Sequence, residues 1–241
     1  MIRLDLVLPA HNEAHTLRNS ADKLWWHCQR SLRRHDWRIV LVENGSTDET
    51  WRVARETSLA LTNVIAIQST PARGNALSAA AAYALSERRE AMLYMDVDLS
   101  TRLEAVRAVL DVFTSESADI VMGSRLMSGS KVTNRTLKRE ITSRAYNTII
   151  RVMFPLLWRL HDAQCGFKLL GVRAMELAAR EVEDRSWFWD TELLLLALRA
   201  GMTVREVPVE WVDDPDTRVR VLKTAWGDLK GLARIRSLPW R

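Results

Sequence analysis

The stretch Leu93-Tyr94-Met95-Asp96-Val97-Asp98-Leu99-Ser100-Thr101 is an apolar run that ends in two carboxylates one residue apart. Such a run predicts a buried strand, and open α/β sheets bind ligands at the carboxyl ends of their strands. Adjacent acids repel each other unless a positive charge lies between them, and oxygen ligands suit a hard divalent cation. Asp96 and Asp98 therefore predict a Mg²⁺ or Mn²⁺ site for a diphosphate. The alternative is that these acids cap the next helix.

Strand and helix patterns alternate on both sides of this stretch. Strand patterns occupy residues 4–9, 37–43, 64–69 and 119–125, and helical patterns run to about residue 32, to about residue 61, and over 76–88 and 103–116. This alternation predicts an α/β fold with a mostly parallel sheet and helices on both faces. The chain lacks Gly-x-Gly-x-x-Gly and Walker loops, so nothing indicates a dinucleotide or P-loop site.

The carboxyl ends of the predicted strands gather polar residues at one rim. The segments are 9–13, 43–48, 73–75 and 96–101. Together they supply hydrogen-bond acceptors for a base and a ribose, a basic group and a pair of acids. Such a set suits a nucleotide diphosphate.

Composition narrows the class of protein. The 241 residues, 47% of them hydrophobic, suffice for one sizeable domain. Lys and Arg exceed the acids by 35 to 30, and the net charge of +5 suits a polyanion or an anionic membrane, or a plain solvated surface. Cys28 and Cys165 form no C-x-x-C pair, which argues against zinc and against a disulfide framework. We therefore expect a reducing, cytoplasmic location.

Two segments, at about 138–160 and at 219–241, have patterns that suit a membrane surface. No window reaches the roughly 18 to 20 apolar residues of a spanning helix, and the N-terminus leads into a strand without a signal core, so we expect neither spanning nor export. Residues 126–134 are polar and rich in Ser and Gly, which predicts a mobile loop. A helix at about 138–160, kinked at Pro155, and a basic tail at 219–241 both have amphipathic patterns. Each fits a bilayer surface; the alternative is packing on its own domain.

Eight motifs follow one another in a fixed order. They are Pro-Ala-His-Asn-Glu, Glu-Asn-Gly-Ser-Thr-Asp, Arg-Gly-Asn-Ala-Leu, Met-Asp-Val-Asp-Leu-Ser-Thr, Gly-Ser-Arg, Asp-Ala-Gln-Cys-Gly-Phe-Lys, Trp-Phe-Trp-Asp-Thr-Glu-Leu-Leu and Glu-Val-Pro-Val-Glu-Trp. In this order the chain resembles the family 2 glycosyltransferases of the GT-A fold over about residues 4 to 220. The branch it resembles includes dolichyl-phosphate glucosyltransferases, dolichol-phosphate mannose synthases and bacterial polyprenyl-phosphate glycosyltransferases.

The resemblance implies a Rossmann-like GT-A catalytic domain at residues 1–218, with the tail at 219–241 beyond it. Transferred by position, it implies a nucleotide-sugar pocket at Pro9, His11, Glu13, Glu43, Asn44, Arg73, Gly74 and Asp96. It implies a Mg²⁺ or Mn²⁺ site at Asp96, Asp98 and Ser100. Basic groups for the phosphates and the acceptor are expected at Arg125, Lys131, Arg139 and Lys168.

Three acids are candidates for a general base or for orienting the acceptor, namely Asp162, Asp190 and Glu192. The alternative for each is a helix cap or an internal salt bridge. Two features depart from the family. Many relatives have Asp-Asp where this chain has Glu43-Asn44, and polyprenyl-phosphate enzymes often carry transmembrane helices or work with a separate membrane-domain partner.

These observations predict an inverting, metal-dependent glycosyltransferase, peripheral on the inner face of the membrane. Its donor would be UDP-glucose, or second GDP-mannose, and its acceptor a polyprenyl phosphate, whose oxygen is already ionised because its second pKa is about 6. One alternative acceptor is a soluble or polysaccharide hydroxyl, which needs a general base. A further alternative is a non-catalytic module that binds membranes; nucleic acid is not expected as a partner.

Overall fold

The structure of the protein is a computed structural model, which describes residues 1–213, 231–232 and 234–236. The side chains of Lys138 and Arg139 lie outside the described residues, as do most residues of the 219–241 tail.

The centre of the fold is a seven-stranded sheet in the order β3-β2-β1-β4-β7-β5-β8. Strand β7 is antiparallel to both β4 and β5, and the other neighbours are parallel. The strands are β1 Arg3–Ala10, β2 Asp36–Glu43, β3 Val64–Gln68, β4 Ala91–Tyr94, β5 Ile120–Ser124, β6 Lys131–Thr133, β7 Lys168–Gly171, β8 Val204–Pro208 and β9 Glu210–Val212. The mostly parallel sheet expected from the alternation is confirmed.

Helices cover both faces of this sheet. They are α1 Leu17–Ser31, α2 Thr50–Ala60, α3 Arg73–Ser86, α4 Ala105–Ser115, α5 Leu137–Met153, α6 Val172–Arg180 and α7 Trp189–Arg199, with a 3₁₀ turn at Pro155–Leu157. Leu6 and Leu8 of β1 belong to the core under α1 and α4, whereas Val7 belongs to the core under α3, α6 and α7. Neighbouring residues of a strand point to opposite faces, which is why a nearly continuous apolar strand fills two cores.

The strand register brings the predicted rim together. Ala10 lies opposite Glu43 and Glu43 lies opposite Gln68, so β1, β2 and β3 end side by side. Strand β4 ends at Tyr94, and the N–H of Met95 still donates to the carbonyl of Val7 at 3.1 Å. The two aspartates therefore lie just beyond the sheet, in the loop that leaves β4.

The segment 126–134 is more ordered than its composition predicts. Its residues Lys131–Thr133 form β6, which pairs in parallel with β9, and Thr101 forms an isolated bridge with Trp211 of β9. The loop prediction was wrong for these three residues because the partner strand lies far along the chain, and local composition does not reveal such pairing. As a result, β9 joins the loop of Asp96 and Asp98 to the basic segment before α5.

The described part of the tail packs on the domain. Leu232 and Ile235 are fully buried in the core that contains α7, and the carbonyl of Ile235 accepts a hydrogen bond of 3.0 Å from Arg199. For residues 231–236, apart from residue 233, the structure favours the packing alternative over contact with a bilayer. Amphipathic spacing does not distinguish the two, because both bury one apolar face.

Candidate active site

Asp98 and Ser100 hold each other in a tight turn after β4. The carboxylate of Asp98 accepts hydrogen bonds from the backbone N–H of Ser100 at 2.9 Å and from its hydroxyl at 2.7 Å. Leu99 between them has a φ of 54°, a left-handed value that is costly for a branched side chain. Asp98 is exposed and Ser100 is buried. The turn thus presents the Asp98 carboxylate to solvent while its hydrogen bonds hold the carboxylate's orientation.

Asp96 occupies a narrower place beside the chain segment that precedes β7. Its side chain is 33% exposed, and a Cβ atom added at Gly166 would overlap its carboxylate oxygens. Burial raises the pKa of Asp96; Arg73 opposes this shift, and the charges of Asp98 and Asp190 raise the pKa further. A cation at this position would stabilise the ionised form of Asp96.

Asp190 is the centre of a buried charge network beneath these acids. Its Oδ2 lies 2.5 Å from Nη1 of Arg73, and its Oδ1 accepts hydrogen bonds from the hydroxyl of Tyr94 at 2.5 Å and from Nζ of Lys168 at 2.7 Å. Arg73 extends on to Asp96, with 3.3 Å between Nη2 and Oδ1. Arg73 therefore connects the buried Asp190 to the partly exposed Asp96.

The network keeps Asp190 ionised. Burial alone would raise its pKa, but Arg73 and Lys168, with the hydrogen bonds from Lys168 and Tyr94, outweigh burial and lower the pKa to about 2. Lys168 is fully buried and also donates to the carbonyl of Cys165 at 2.5 Å. A carboxylate with so low a pKa and three donors is a weak proton acceptor near neutral pH.

Asp162 forms a second buried pair, with Arg125. Its side chain has no exposure, and it accepts from Nε of Arg125 at 2.7 Å, from Nη2 at 2.9 Å and from the backbone N–H at 3.1 Å. Burial raises the pKa of Asp162, but the charge and hydrogen bonds of Arg125 outweigh burial. The pKa of Asp162 therefore lies below its usual value. The guanidinium of Arg125 lies 4.9 Å from the centroid of the Trp211 ring. The arrangement is the internal salt bridge left open as an alternative for this acid.

Glu192 is likewise engaged inside the domain. Its Oε2 accepts from the backbone N–H of Asp184 at 2.8 Å and from Arg234 at 2.7 Å, and its Oε1 accepts from the N–H of Glu183 at 3.3 Å. These bonds attach α7 to the segment before it and to the described part of the tail. The geometry again favours the salt-bridge alternative.

The opposite end of the rim is built from the loops after β1 and β2. Nδ1 of His11 donates to the carbonyl of Asn44 at 3.2 Å. Glu43 accepts from the N–H of Ser46 at 2.5 Å and from the amide of Gln68 at 2.9 Å. Burial raises the pKa of Glu43, but these hydrogen bonds lower it below its usual value. The amide oxygen of the buried Asn44 has no hydrogen-bond partner within the described part of the chain.

The remaining predicted residues are distributed around this rim. Pro9 lies in β1 opposite Val42, and the N–H of Glu13 donates to Thr50 at 2.8 Å. Gly74 opens α3 with its N–H on the carbonyl of Arg185 at 2.9 Å, where a Cβ atom would come within 2.6 Å of that residue's carbonyl carbon. The other predicted basic residues differ in their exposure and in their partners.

Of those positions, Lys131 is 74% exposed and pairs with Glu210 at 2.9 Å. Arg139 belongs to α5, and its side chain lies outside the described residues. Lys168, by contrast, faces Asp190 inside the domain.

Sequence reasoning missed several residues that shape the site. The sequence places Tyr94 only in the apolar strand, yet its hydroxyl donates a hydrogen bond to Asp190. Trp187 lies beside Arg73, 5.3 Å from its guanidinium carbon to the ring centroid, and is 42% exposed. Gly166 was part of a motif but had no role of its own. A tyrosine in a fully buried strand was the one available signal, since its hydroxyl needs a partner.

Replacing Asp190 by Asn tests the buried network through its pH dependence. A depressed pKa contributes stability that is present above the unfolded pKa of about 4 and is lost as the pH falls toward 2. At pH 7 the Asn variant should lose about 2 kcal/mol of unfolding free energy, and the difference from wild type should shrink between about pH 4 and 2. Urea unfolding at several pH values measures this.

Asp22→Asn is the control, because the Asp22 pair with Arg18 lies at the surface, with the Asp22 side chain 37% exposed. It should cost less than about 1 kcal/mol. The ionised network would be contradicted if the difference in unfolding free energy between wild type and Asp190→Asn stayed constant down to pH 2.

Gly166→Ala tests whether Asp96 needs the space beside it. The added methyl group should displace the Asp96 carboxylate and weaken binding of Mn²⁺ with UDP or GDP by roughly tenfold, about 1.4 kcal/mol. Isothermal titration calorimetry measures the Kd. Gly171→Ala is the matched control, since its Cβ would press on Phe113 at 3.1 Å away from the acids. Equal losses in the two variants would contradict the assignment.

The sequence of this chain is similar to those of known glycosyltransferases. The family model for glycosyl transferase family 2 matches residues 5–177. The glycosyltransferase AglD of Haloferax volcanii is 34% identical over 94% of this chain, which spans 36% of AglD. The dolichyl-phosphate beta-glucosyltransferase ALG5A of Trichomonas vaginalis is 26% identical over 91% of this chain, which spans 69% of that relative.

A solved structure shows the same architecture. Glucosyl-3-phosphoglycerate synthase from Mycobacterium tuberculosis, crystallised with Mn²⁺, UDP and glucosyl-3-phosphoglycerate, superposes with a TM-score of 0.72 at 14% identity, covering 99% of this chain and 81% of that one. This likeness and the sheet order confirm the GT-A fold. With the family model covering more than half of its length, the chain belongs to glycosyl transferase family 2.

Proposed function

We propose that the protein transfers a hexose from a nucleotide sugar to a polyprenyl phosphate, with inversion at the anomeric carbon and with a divalent metal. UDP-glucose is the first donor to test and GDP-mannose the second. The names of the relatives support this acceptor class, because ALG5A is a dolichyl-phosphate glucosyltransferase and a Pyrococcus furiosus relative, 27% identical over 73% of this chain, is a dolichol-phosphate mannosyltransferase.

One structural observation carries the choice of acceptor. The three acids considered as general bases are all engaged: Asp162 by Arg125, Asp190 by Arg73 and Lys168, and Glu192 by backbone N–H groups and Arg234. A hydroxyl acceptor must lose its proton during attack, which requires a free basic group. A phosphate monoester already carries an ionised oxygen near neutral pH. It can therefore attack without a general base, at a site whose acids are engaged in ion pairs.

The donor side suits a metal-bound diphosphate. Asp96 and Asp98, beside the hydroxyl of Ser100, would hold a hard divalent cation through their carboxylate oxygens, and the cation would bind the donor diphosphate. When bound, the cation would neutralise charge on the departing nucleoside diphosphate. Both carboxylates border the partly exposed side of the turn, where a soluble ligand can reach them.

The chain's own residues would perform the rest by positioning charge. Arg73, held by Asp190, faces the Asp96 side and would contact the donor diphosphate. The amide oxygen of Asn44, which has no hydrogen-bond partner in the parts of the chain that are described, would accept from the base or ribose. Arg125, oriented by Asp162 and stacked near Trp211, would hold the acceptor in line with the anomeric carbon. Alignment of two polyanions is then the main task of the site.

The surface of α5 supports contact with a membrane. Its outward side carries Leu137, Ile141, Ile149 and Val152, which are 75%, 60%, 47% and 70% exposed, and Trp158 beyond it is 67% exposed. Within the described residues, no helix is long and apolar enough to cross a bilayer. An exposed apolar stripe of this kind would let α5 lie in the headgroup region of the membrane that holds the lipid acceptor.

Activity assays test the proposed reaction. Wild-type protein with Mg²⁺ and UDP-glucose or GDP-mannose should glycosylate citronellyl phosphate but not citronellol, and EDTA should abolish the transfer. Asp98→Ala should lower kcat/KM by roughly 100-fold, whereas Asp111→Ala, which changes an acid that is 71% exposed on α4, should not. Faster transfer to citronellol than to its phosphate would refute the phosphate acceptor.

Vesicle sedimentation tests the proposed role of α5. Ile141→Glu with Val152→Glu should weaken binding to phosphatidylglycerol vesicles at least tenfold, because two charges replace exposed apolar groups. Leu59→Glu is the control, since Leu59 is 84% exposed on α2. Unchanged vesicle binding of the double variant would rule out α5 as the contact surface.

A further inference from the structure

Arg135 is a buried cation with unused hydrogen-bonding capacity. It lies between β6 and α5, and its side chain is only 8% exposed. Its Nε is ion-paired with Oε2 of Glu140 at 2.8 Å, whereas Nη1 has no hydrogen-bond partner among the residues that the structure describes. Leaving guanidinium N–H groups unpaired away from water is costly. Nη1 is therefore an atom to which a ligand could supply the missing acceptor.

A chain of contacts places Arg135 near Arg125. The backbone N–H of Asp213 donates to the carbonyl of Thr133, two residues before Arg135, at 3.0 Å. The Asp213 carboxylate accepts from the indole N–H of Trp211 at 2.8 Å, and the ring of Trp211 contacts Arg125. Pairing of β6 with β9 thus brings the two arginines to one place, although ten positions separate them in the sequence.

The charges around Arg135 leave it only partly compensated. Burial and the positive charge of Arg125 lower the pKa of Arg135, and the opposing charges of Asp213, Glu140 and Asp162 do not restore it. Two of these acids also serve other cations: Asp162 pairs with Arg125, and Glu140 pairs with Arg144 at 2.5 Å. An additional anion between the two arginines would relieve their repulsion.

We propose that Arg125 and Arg135 together form the binding site for the phosphate group of the acceptor. This inference rests on the proposed function and adds Arg135 as a residue that selects a phosphate over a neutral hydroxyl. Asp162 uses Nε and Nη2 of Arg125, which leaves Nη1 outside that pair. Nη1 of Arg135 is the corresponding donor on the other guanidinium, and it has no acceptor within the described part of the chain.

The position of the pair suits an acceptor next to the donor diphosphate. The segment from Asp162 to Lys168 contacts Arg125 at its start, Asp96 at Gly166 and Asp190 at its end. One short segment therefore lies next to Asp96, where the donor diphosphate would bind, and next to Arg125, where the acceptor would bind. Two planar guanidinium groups can share the oxygens of a tetrahedral phosphate, and such charge-assisted bonds are stronger than neutral ones.

The test compares acceptor and donor affinities in Arg135→Gln. Citronellyl phosphate is the probe, its Kd is measured by calorimetry and its KM by sugar transfer, and the donor KM is measured in parallel. The variant should raise the acceptor Kd and KM at least tenfold and leave the donor KM unchanged. Arg173→Gln, which removes an arginine 58% exposed and paired with Asp119, is the control and should change neither.

Glu140→Gln distinguishes phosphate binding from a purely structural ion pair. If Arg135 only neutralised Glu140, both variants would raise the acceptor KM alike, and the proposal would be overturned. If Arg135 binds phosphate, Glu140→Gln should leave the acceptor KM equal or lower, because a competing carboxylate is gone. Should Arg135→Gln not fold, Arg135→Lys decides: a raised acceptor KM with an unchanged donor KM supports the site, and a wild-type acceptor KM overturns it.

The same measurements separate this inference from the proposed function. Arg135-dependent binding of citronellyl phosphate without any sugar transfer by wild type would refute the function and retain the phosphate site. Sugar transfer with an acceptor KM indifferent to Arg135 would retain the function and refute the site. A wild-type protein that neither binds nor glycosylates the phosphate would refute both.

Discussion

The buried carboxylate of Asp190 is the interaction on which the rest of the site depends. It lies at the start of α7 and binds Arg73 from α3, Tyr94 from β4 and Lys168 from β7. Four elements thus meet at one negative charge. Because each partner would be a costly unpaired group without it, the network favours a single arrangement of these elements. Arg73 also contacts Asp96, so the position of this partly exposed acid depends on the same network.

The same physical device recurs on the other side of the site. Asp162 holds Arg125 as Asp190 holds Arg73, so each arginine is oriented by a buried acid before any ligand arrives. Side chains held in this way lose little conformational freedom on binding, which favours electrostatic preorganisation. The acids that resemble general bases in the sequence are thus paired with arginines, which is the reason for proposing an acceptor that is already ionised.

Strand β9 gives the two sides a common support. It contacts the turn after β4 through the bridge from Thr101 to Trp211 and the N–H of Val212, which donates to the carbonyl of Ser100 at 2.9 Å. It also pairs with β6, which leads to Arg135 and α5. A displacement of either side is therefore opposed by backbone hydrogen bonds to the other. The exposed apolar stripe of α5 would then lie at a fixed distance from Arg125 and Arg135.

The sequence by itself determined the strand and helix alternation, which follows from local periodicity, and the rim that carries Asp96, Asp98, Glu43 and Arg73, which follows from the ends of parallel strands. The order of eight motifs indicated the family. Only the tertiary structure decided which charges pair. Asp190 with Lys168, Asp162 with Arg125, and β6 with β9 are contacts between distant positions, and neither local pattern nor residue type specifies such partners. The free energy of a buried charge depends on its surroundings in space, so those roles appear only when the chain is folded.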